Sequence, residues 1–229
     1  MGVASSRKLG YESATLASPC SDDEALGTLR ELAPIHGFPM AMKLFYQGAS
    51  ATNAYFIDQG LVKLIHICPN GHELIVGLRT VGNVLGGPAV ILGEAYPVSA
   101  ITLTTCRLRR IPAGVLRQVL ENNASVSHYL LKGQCREMLE QVTDLAGLAL
   151  SARERLERLF VRFVSLADEV DSSKEIRLPS LLKHWETAQL IAVTPQHLSR
   201  LLKKMKEEQI IRLEKGRVII ADPTRLVRQ

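Results

Sequence analysis

Cysteine is scarce in this chain, and no apolar run is long enough to cross a bilayer. The four cysteines, Cys20, Cys68, Cys106 and Cys135, are widely spaced and include no C-x-x-C pair. That spacing describes no zinc site, and a disulfide framework does not belong in a cytosolic chain. No apolar stretch approaches the ~20 residues of a membrane span. Residues 1–21 scatter polar side chains and lack the apolar core of a secretory signal. The expectation is a cytoplasmic protein with no membrane partner and a flexible tail over residues 1–22. One local absence says more. From Thr194 to Lys206 there is no acidic residue, although the segment holds Arg200, Lys203, Lys204 and Lys206.

That segment has the marks of a helix. Thr194 suits the N-cap and Pro195 the first helical position, where a missing N–H costs nothing. Leu198, Leu201, Leu202 and Met205 recur at helical spacing and form one apolar stripe. The opposite face carries Gln196, Ser199, Arg200 and Lys203, with His197 and Lys204 on its flank. Hydrogen-bonding groups near the N-terminus suit base edges, and the basic residues behind them suit phosphate. Upstream, residues 184–191 predict a short helix, with Ala188 small where two helices would cross and Val193 apolar in the link. Together these make a helix-turn-helix. Downstream, Ile210–Leu213 and Arg217–Ile220 predict a two-stranded wing whose tip bears Lys215 and Arg217. The alternative is a helical hairpin and a β-hairpin that serve only packing.

Charge decides between them. The chain carries a formal +5, but from Lys174 onward there are twelve Lys and Arg against six Asp and Glu. The remaining residues hold sixteen against seventeen. The positive field therefore sits on the end that would meet a duplex, as attraction to phosphate requires.

A chain of 229 residues with 46% hydrophobic content can fill two cores. Asp22–Ala33 predicts a short helix with acids in its first turn. From Met42 to Pro112 the pattern becomes short strands divided by glycines, clearest at 54–57, 60–67, 73–76 and 99–108, with a hairpin signal at Asn70-Gly71. Many short strands at this spacing indicate a jelly roll or another small β-barrel. After Pro112 the chain turns helical. Leu131, Cys135, Met138, Val142, Leu145 and Ala149 alternate four and three apart, a heptad seam. Packing on one barrel would bury such a stripe, yet a palindromic DNA site calls for a two-fold dimer, so a parallel dimer helix is expected. Ser151-Ala-Arg-Glu154 has the form of a capped start to the next helix, through Ala167. The fold class is α+β: a β jelly-roll sensor domain over 23–124, a dimerisation helix over 125–150 and a winged helix-turn-helix over 151–229.

In this order the chain resembles the cyclic-AMP receptor / fumarate-nitrate regulator (CRP/FNR) family of bacterial transcription factors. The resemblance covers about residues 23–222. It rests on Gly60-Leu-Val-Lys-Leu, Asn70-Gly-His-Glu-Leu, Gly82-Asn-Val-Leu-Gly86, Tyr96-Pro-Val-Ser-Ala100, the 150–156 segment and the Val193–Arg200 helix. It implies a cyclic-nucleotide-binding-like barrel and a homodimer that binds double-stranded DNA and contacts RNA polymerase. It also places an effector cleft at Val84, Leu85, Gly86, Gly87 and Pro88, facing Val98, Ser99 and Ala100.

The departures bear on the effector. Cyclic-nucleotide binders of the family place a Glu where this chain has Gly87 and an Arg where it has Val98. Neither residue replaces the lost carboxylate or cation, which argues against cyclic AMP or GMP. A single N-terminal cysteine, Cys20, argues against an iron–sulfur cluster. His66 and His72 are the haem-ligand candidates, on no stronger ground than their presence. Another small molecule, redox chemistry at a cysteine, or no effector at all remain open, and no cofactor is expected. On the reader helix Arg200 suits guanine and Gln196 suits adenine. The DNA-contacting set is Thr194, Gln196, His197, Ser199, Arg200, Lys203 and Lys204, with Lys215 and Arg217 on the wing. Lys183 stands where the family uses a Ser or Thr cap. The rival class is a cupin-type metal enzyme, for which His66, His72 and Glu73 are the nearest ligand set; adjacent His72 and Glu73 would point to opposite faces of a strand. The expectation is a regulator, not an enzyme.

Overall fold

The computed structural model of the chain describes residues 22–164, 176–177, 182–214 and 217–221. Residues 1–21 of the expected tail, Cys20 among them, the wing-tip Lys215 and the stretch 165–167 lie outside the described residues, as does the side chain of Arg217. The chain opens with helix α1 (Asp23–Glu31), which buries Ala25, Leu26 and Leu29. Asp22 does not cap it through its side chain; its carboxylate instead meets Lys132 at 3.0 Å.

Two four-stranded antiparallel sheets follow. One has the order β1 (Ile35–Phe38), β8 (Cys106–Pro112), β3 (Asn53–Gln59), β6 (Val84–Leu85). The other runs β2 (Lys43–Phe45), β7 (Ser99–Thr102), β4 (Val62–Ile67), β5 (Glu73–Arg79). Strand β3 shows why the sheets stack. Tyr55 and Ile57 pack between the sheets, whereas Ala54 and Phe56 face a second core with α1, α3 (Ala113–Asn122) and the start of α4 (Ala124–Gly147). All four are buried, so this strand is a continuous apolar run and not an alternating one. The β4–β5 hairpin turns at Asn70-Gly71, with Gly71 at φ +81° and the Asn70 side-chain oxygen accepting from His72 N at 3.1 Å.

Three boundaries differ from the sequence expectation. The strands begin at Ile35, before Met42. The run 99–108 is two strands in different sheets, broken at residues 103–105 without a glycine or proline to mark the corner. There Leu103 N donates to Leu61 O at 2.8 Å and Leu61 N to Thr104 Oγ1 at 3.0 Å, so the crossing chain is satisfied by the segment beside it. Helix α4 stops at Gly147, which leaves Ala149 in the following turn and off the heptad seam.

Asn123 caps α4 by accepting from Val126 N at 3.0 Å. Helix α5 (Ala152–Val164) starts on a capping box: Ser151 N donates to Glu154 Oε2 at 2.7 Å and Glu154 N to Ser151 Oγ at 3.3 Å. Then come β9 (Ile176–Arg177), α6 (His184–Leu190), α7 (Pro195–Glu207), β10 (Ile211–Glu214) and β11 (Arg217–Ile220). The sheet order β10-β11-β9 adds a third strand to the expected two-stranded wing. One hydrophobic cluster joins this C-terminal part to the barrel: Leu61, Leu78 and Leu103 pack with Leu156, Phe160, Ala188, Ile191 and Leu198. Among the described residues no helix is long and apolar enough to cross a membrane.

Gly86 shows how tightly the barrel is filled. It sits at φ +72°, and a Cβ there would lie 2.8 Å from Tyr96 Cε1. Gly86→Ala is therefore expected to lower stability by about 1–3 kcal/mol, read as a fall in the urea midpoint with an unchanged slope.

Candidate DNA interface and barrel cleft

Helix α7 is built outward from its cap. Thr194 is extended and its Oγ1 accepts from His197 N at 3.2 Å, with Pro195 opening the first turn. Leu198 and Met205 are fully buried, while Leu201 and Leu202 are half-buried, so the apolar stripe holds the helix down. Gln196, Ser199, Arg200, Lys203 and Lys204 are exposed and His197 is half-buried. Lys203 lies 3.9 Å from Glu207, but both side chains are exposed, so this pair leaves the ammonium available to a stronger anion. Ser199 Oγ donates to Pro195 O at 3.1 Å and lies 3.4 Å from His184 Nε2, so its hydroxyl is engaged within the protein. Arg200 and Gln196 are exposed on the same helix, on its side away from the apolar stripe.

The link between α6 and α7 contains a feature that the sequence does not flag: Ala192 takes φ +51°, a position where glycine is usual. Its geometry is held by Val193 N donating to Ala188 O at 3.0 Å and by buried Ile191. Arg153 fixes the other side of the motif, bonded to Glu157 at 2.8 Å and to Glu208 at 2.6 Å; the Glu208 bond raises its already high pKa further. Arg155 donates to Ile191 O at 2.8 Å and to Leu150 O at 2.5 Å, tying the end of α6 to the turn after α4.

The start of α6 shows how Lys183 replaces the usual cap. Lys183 N donates to Glu186 Oε2 at 2.7 Å, so the carboxylate three residues on performs the capping. The other carboxylate oxygen accepts from Lys63 of β4. Glu186 is only 2% exposed, and its partner is also largely buried. The sequence reading missed both residues because nothing local marks a pair separated by 123 positions.

The expected effector cleft lies in the barrel core. Val84, Leu85, Gly87, Ser99 and Ala100 are buried, Gly86 and Val98 half-buried, and Pro88 exposed. The space beside them is taken by aromatic rings that the sequence reading did not assign to it. Phe45 stacks on Tyr96 with centroids 4.0 Å apart, and Tyr55 lies 5.9 Å from Phe45. The Tyr96 hydroxyl donates to Asn53 O and the Tyr55 hydroxyl to Leu44 O at 3.2 Å. Burial pushes both phenols above their ordinary range, so they stay neutral donors near pH 7. Ser99 Oγ accepts from Gln47 N at 2.9 Å. The pocket's polar groups thus face other parts of the barrel.

The remaining candidates stay apart. His66 Nδ1 lies 3.2 Å from Pro97 O, whereas His72 and Glu73 are exposed at the hairpin. Among the described residues no three His, Cys, Asp or Glu side chains gather as a metal site. Cys68, Cys106 and Cys135 are free thiols; Cys106 is buried, and desolvation pushes its pKa up, away from the reactive thiolate. Cys135 is exposed on α4 beside Leu131, Met138, Val142 and Leu145, which are 60–70% exposed. Leu139 is bared to the same degree and widens the stripe beyond the heptad positions.

Two family profiles match this chain, the cyclic nucleotide-binding domain over residues 38–123 and the Crp-like helix-turn-helix domain over residues 154–229. Among curated relatives, the global nitrogen regulator of a Nostoc species is 25% identical over 91% of this chain and 98% of its own length. The CRP-like cAMP-activated global transcriptional regulator of Mycobacterium tuberculosis is 24% identical over 87% of this chain and 89% of its own. Among solved structures, the c-di-GMP responsive global regulator CLP of Xanthomonas campestris shares the fold with a TM-score of 0.72 at 18% identity, covering 87% of this chain and 99% of that one. FixK2 of Bradyrhizobium japonicum has a TM-score of 0.72 at 16% identity, covering 85% and 96%. With a cyclic-nucleotide-binding-type barrel, a Crp-like helix-turn-helix and relatives matched over nearly their whole length, the chain belongs to the CRP/FNR family of DNA-binding transcription regulators.

Proposed function

We propose that this regulator acts in the cytoplasm as a homodimer on a palindromic duplex, with α7 as reader and RNA polymerase as its further partner. The observation that carries the reading is the bared face of α7, where Gln196, Arg200 and Lys203 project over a buried Leu198–Met205 stripe. Bidentate Arg–guanine and Gln–adenine contacts would supply specificity, and the lysines attraction to phosphate. The exposed Leu131, Met138, Leu139, Val142 and Leu145 on α4 support pairing with a second copy, because an apolar row of this length is costly to leave in water.

The barrel is proposed to respond to something other than a cyclic nucleotide, or to nothing. Gly87 brings no carboxylate for a ribose and Val98 no cation for a phosphate, and Tyr96 packs against the neighbouring Gly86 and stacks on Phe45. Ser99 alone, already accepting from Gln47 N, would leave a cyclic phosphate's charge without a counter-ion.

Three experiments test this reading. Arg200→Ala should cost about 1–3 kcal/mol at the cognate site and relax preference at one guanine. Lys203→Ala should weaken all duplexes alike and reduce the salt slope by roughly one. An Arg200→Ala protein with an unchanged ratio of specific to random binding would remove α7 as the reader. Cyclic AMP at millimolar concentration should leave the melting temperature unmoved, since a ligand that binds the native state raises it by mass action; a clear rise would restore the nucleotide pocket. Mild oxidation, or a short bis-maleimide, should give a dimer band on a non-reducing gel that Cys135→Ser abolishes and Cys68→Ser does not. A solution dimer that never crosslinks through Cys135 would contradict the proposed helix pairing.

A further inference from the structure

The outer face of the β2-β7-β4-β5 sheet holds the helix-turn-helix by three kinds of contact. Gln189 of α6 takes two peptide groups at the edge of β5: its Oε1 accepts from Ile75 N at 2.9 Å, and its Nε2 donates to Glu73 O at 2.6 Å. This is the pattern that another strand would make against an exposed edge. On the neighbouring strand Lys63 donates to Glu186, whose second oxygen accepts from Lys183 N, so one carboxylate serves both the helix cap and the barrel. Around these polar contacts Leu61, Leu78 and Leu103 of the barrel pack in one cluster with Ala188 and Ile191 of the α6 segment.

The two helices of the motif are packed as one unit. Ala188, Ile191 and Leu198 share a core, and the link from Ile191 to Thr194 is short and hydrogen-bonded. Whatever fixes α6 therefore fixes α7. The contacts leave the reading face free, since Gln196, Arg200 and Lys203 remain exposed while α6 is docked. Docking thus covers none of these three side chains. It sets the direction in which each reader points.

We infer that Lys63 and Gln189 are positioning residues for DNA reading, which hold each reader helix at a fixed angle to its barrel so that two readers engage both half-sites together. The inference rests on the proposed dimeric reading of DNA by α7. A palindrome presents its half-sites about 34 Å apart, one helical turn. A rigidly held second reader meets its half-site at high effective concentration, and a reader on a loose tether loses that advantage while its own contacts stay intact.

The test uses the full chain with Lys63→Met, Gln189→Ala, Glu186→Gln and the Lys63→Met/Glu186→Gln pair. Glu186→Gln keeps an acceptor for the cap and removes the buried charge, so it covers the case in which Lys63→Met alone fails to fold. Amide exchange at Ile75, measured without DNA, reads docking directly and should accelerate several-fold in Gln189→Ala and in Lys63→Met. Affinity for the palindrome should fall about tenfold, affinity for a duplex with one half-site should hold within about twofold, and the double variant should lose less than the two single losses combined. Equal losses on both duplexes, or an unchanged palindrome affinity despite faster Ile75 exchange, would overturn the positioning role. So would Ile75 exchange that ignores Lys63→Met. If the unaltered protein binds neither duplex, the DNA reading itself fails and the positioning role with it, whereas the Ile75 result would still report the docking.

Discussion

Most of this architecture depends on one apolar surface, formed by Leu78 on β5 together with Leu61 and Leu103 just beyond the ends of β4 and β7. Leu61, Leu78 and Leu103 would face water if the barrel stood alone. Each such side chain contributes roughly 1.5–3 kcal/mol when fully buried, so the sheet needs a cover. The small helices α5, α6 and α7 have the reciprocal need, because their motif must bury Leu156, Phe160, Ile191 and Leu198. One continuous cluster meets both. Its consequence is mechanical: helix α7 is attached to the barrel through packed side chains as well as through the polypeptide.

Charge is arranged around that cluster to a different end. Three barrel cations lie against fixed partners: Arg109 on Asp58 at 2.6 Å, Arg79 on Glu137 at 2.8 Å and Lys63 on Glu186. Arg200, Lys203 and Lys204 on α7 instead project into solvent, where their attraction is left for an external anion. The same contrast holds for polar groups in the barrel cleft. Ser99 Oγ accepts from Gln47 N, and the Tyr55 and Tyr96 hydroxyls donate to Leu44 O and Asn53 O.

Local periodicity made α7 and much of the barrel legible. Thr194, Pro195 and the spacing of Leu198, Leu201, Leu202 and Met205 give a helix with two distinct faces, and Asn70-Gly71 marks a hairpin through its turn chemistry. The corner at residues 103–105 was not legible, because a strand that changes sheets keeps its β pattern and here carries no glycine or proline. Ala149 was assigned to the seam because apolar spacing continues past the point where the helix stops at Gly147. Aromatic filling of the cleft and the Lys63–Glu186 pair were invisible for a common reason. Both depend on residues brought together from distant positions, and a lone Tyr96 or Lys63 has no local signature of its partner.

The central question is whether the bared α7 face selects a two-fold DNA sequence. Selection of bound duplexes from a random pool by the unaltered protein, sequenced after successive rounds, measures this without assuming a target. The expected result is a palindrome with half-site centres about 34 Å apart and a guanine that loses its preference when Arg200 is replaced. Recovery of an unselected pool, or of a motif indifferent to Arg200, would contradict the account.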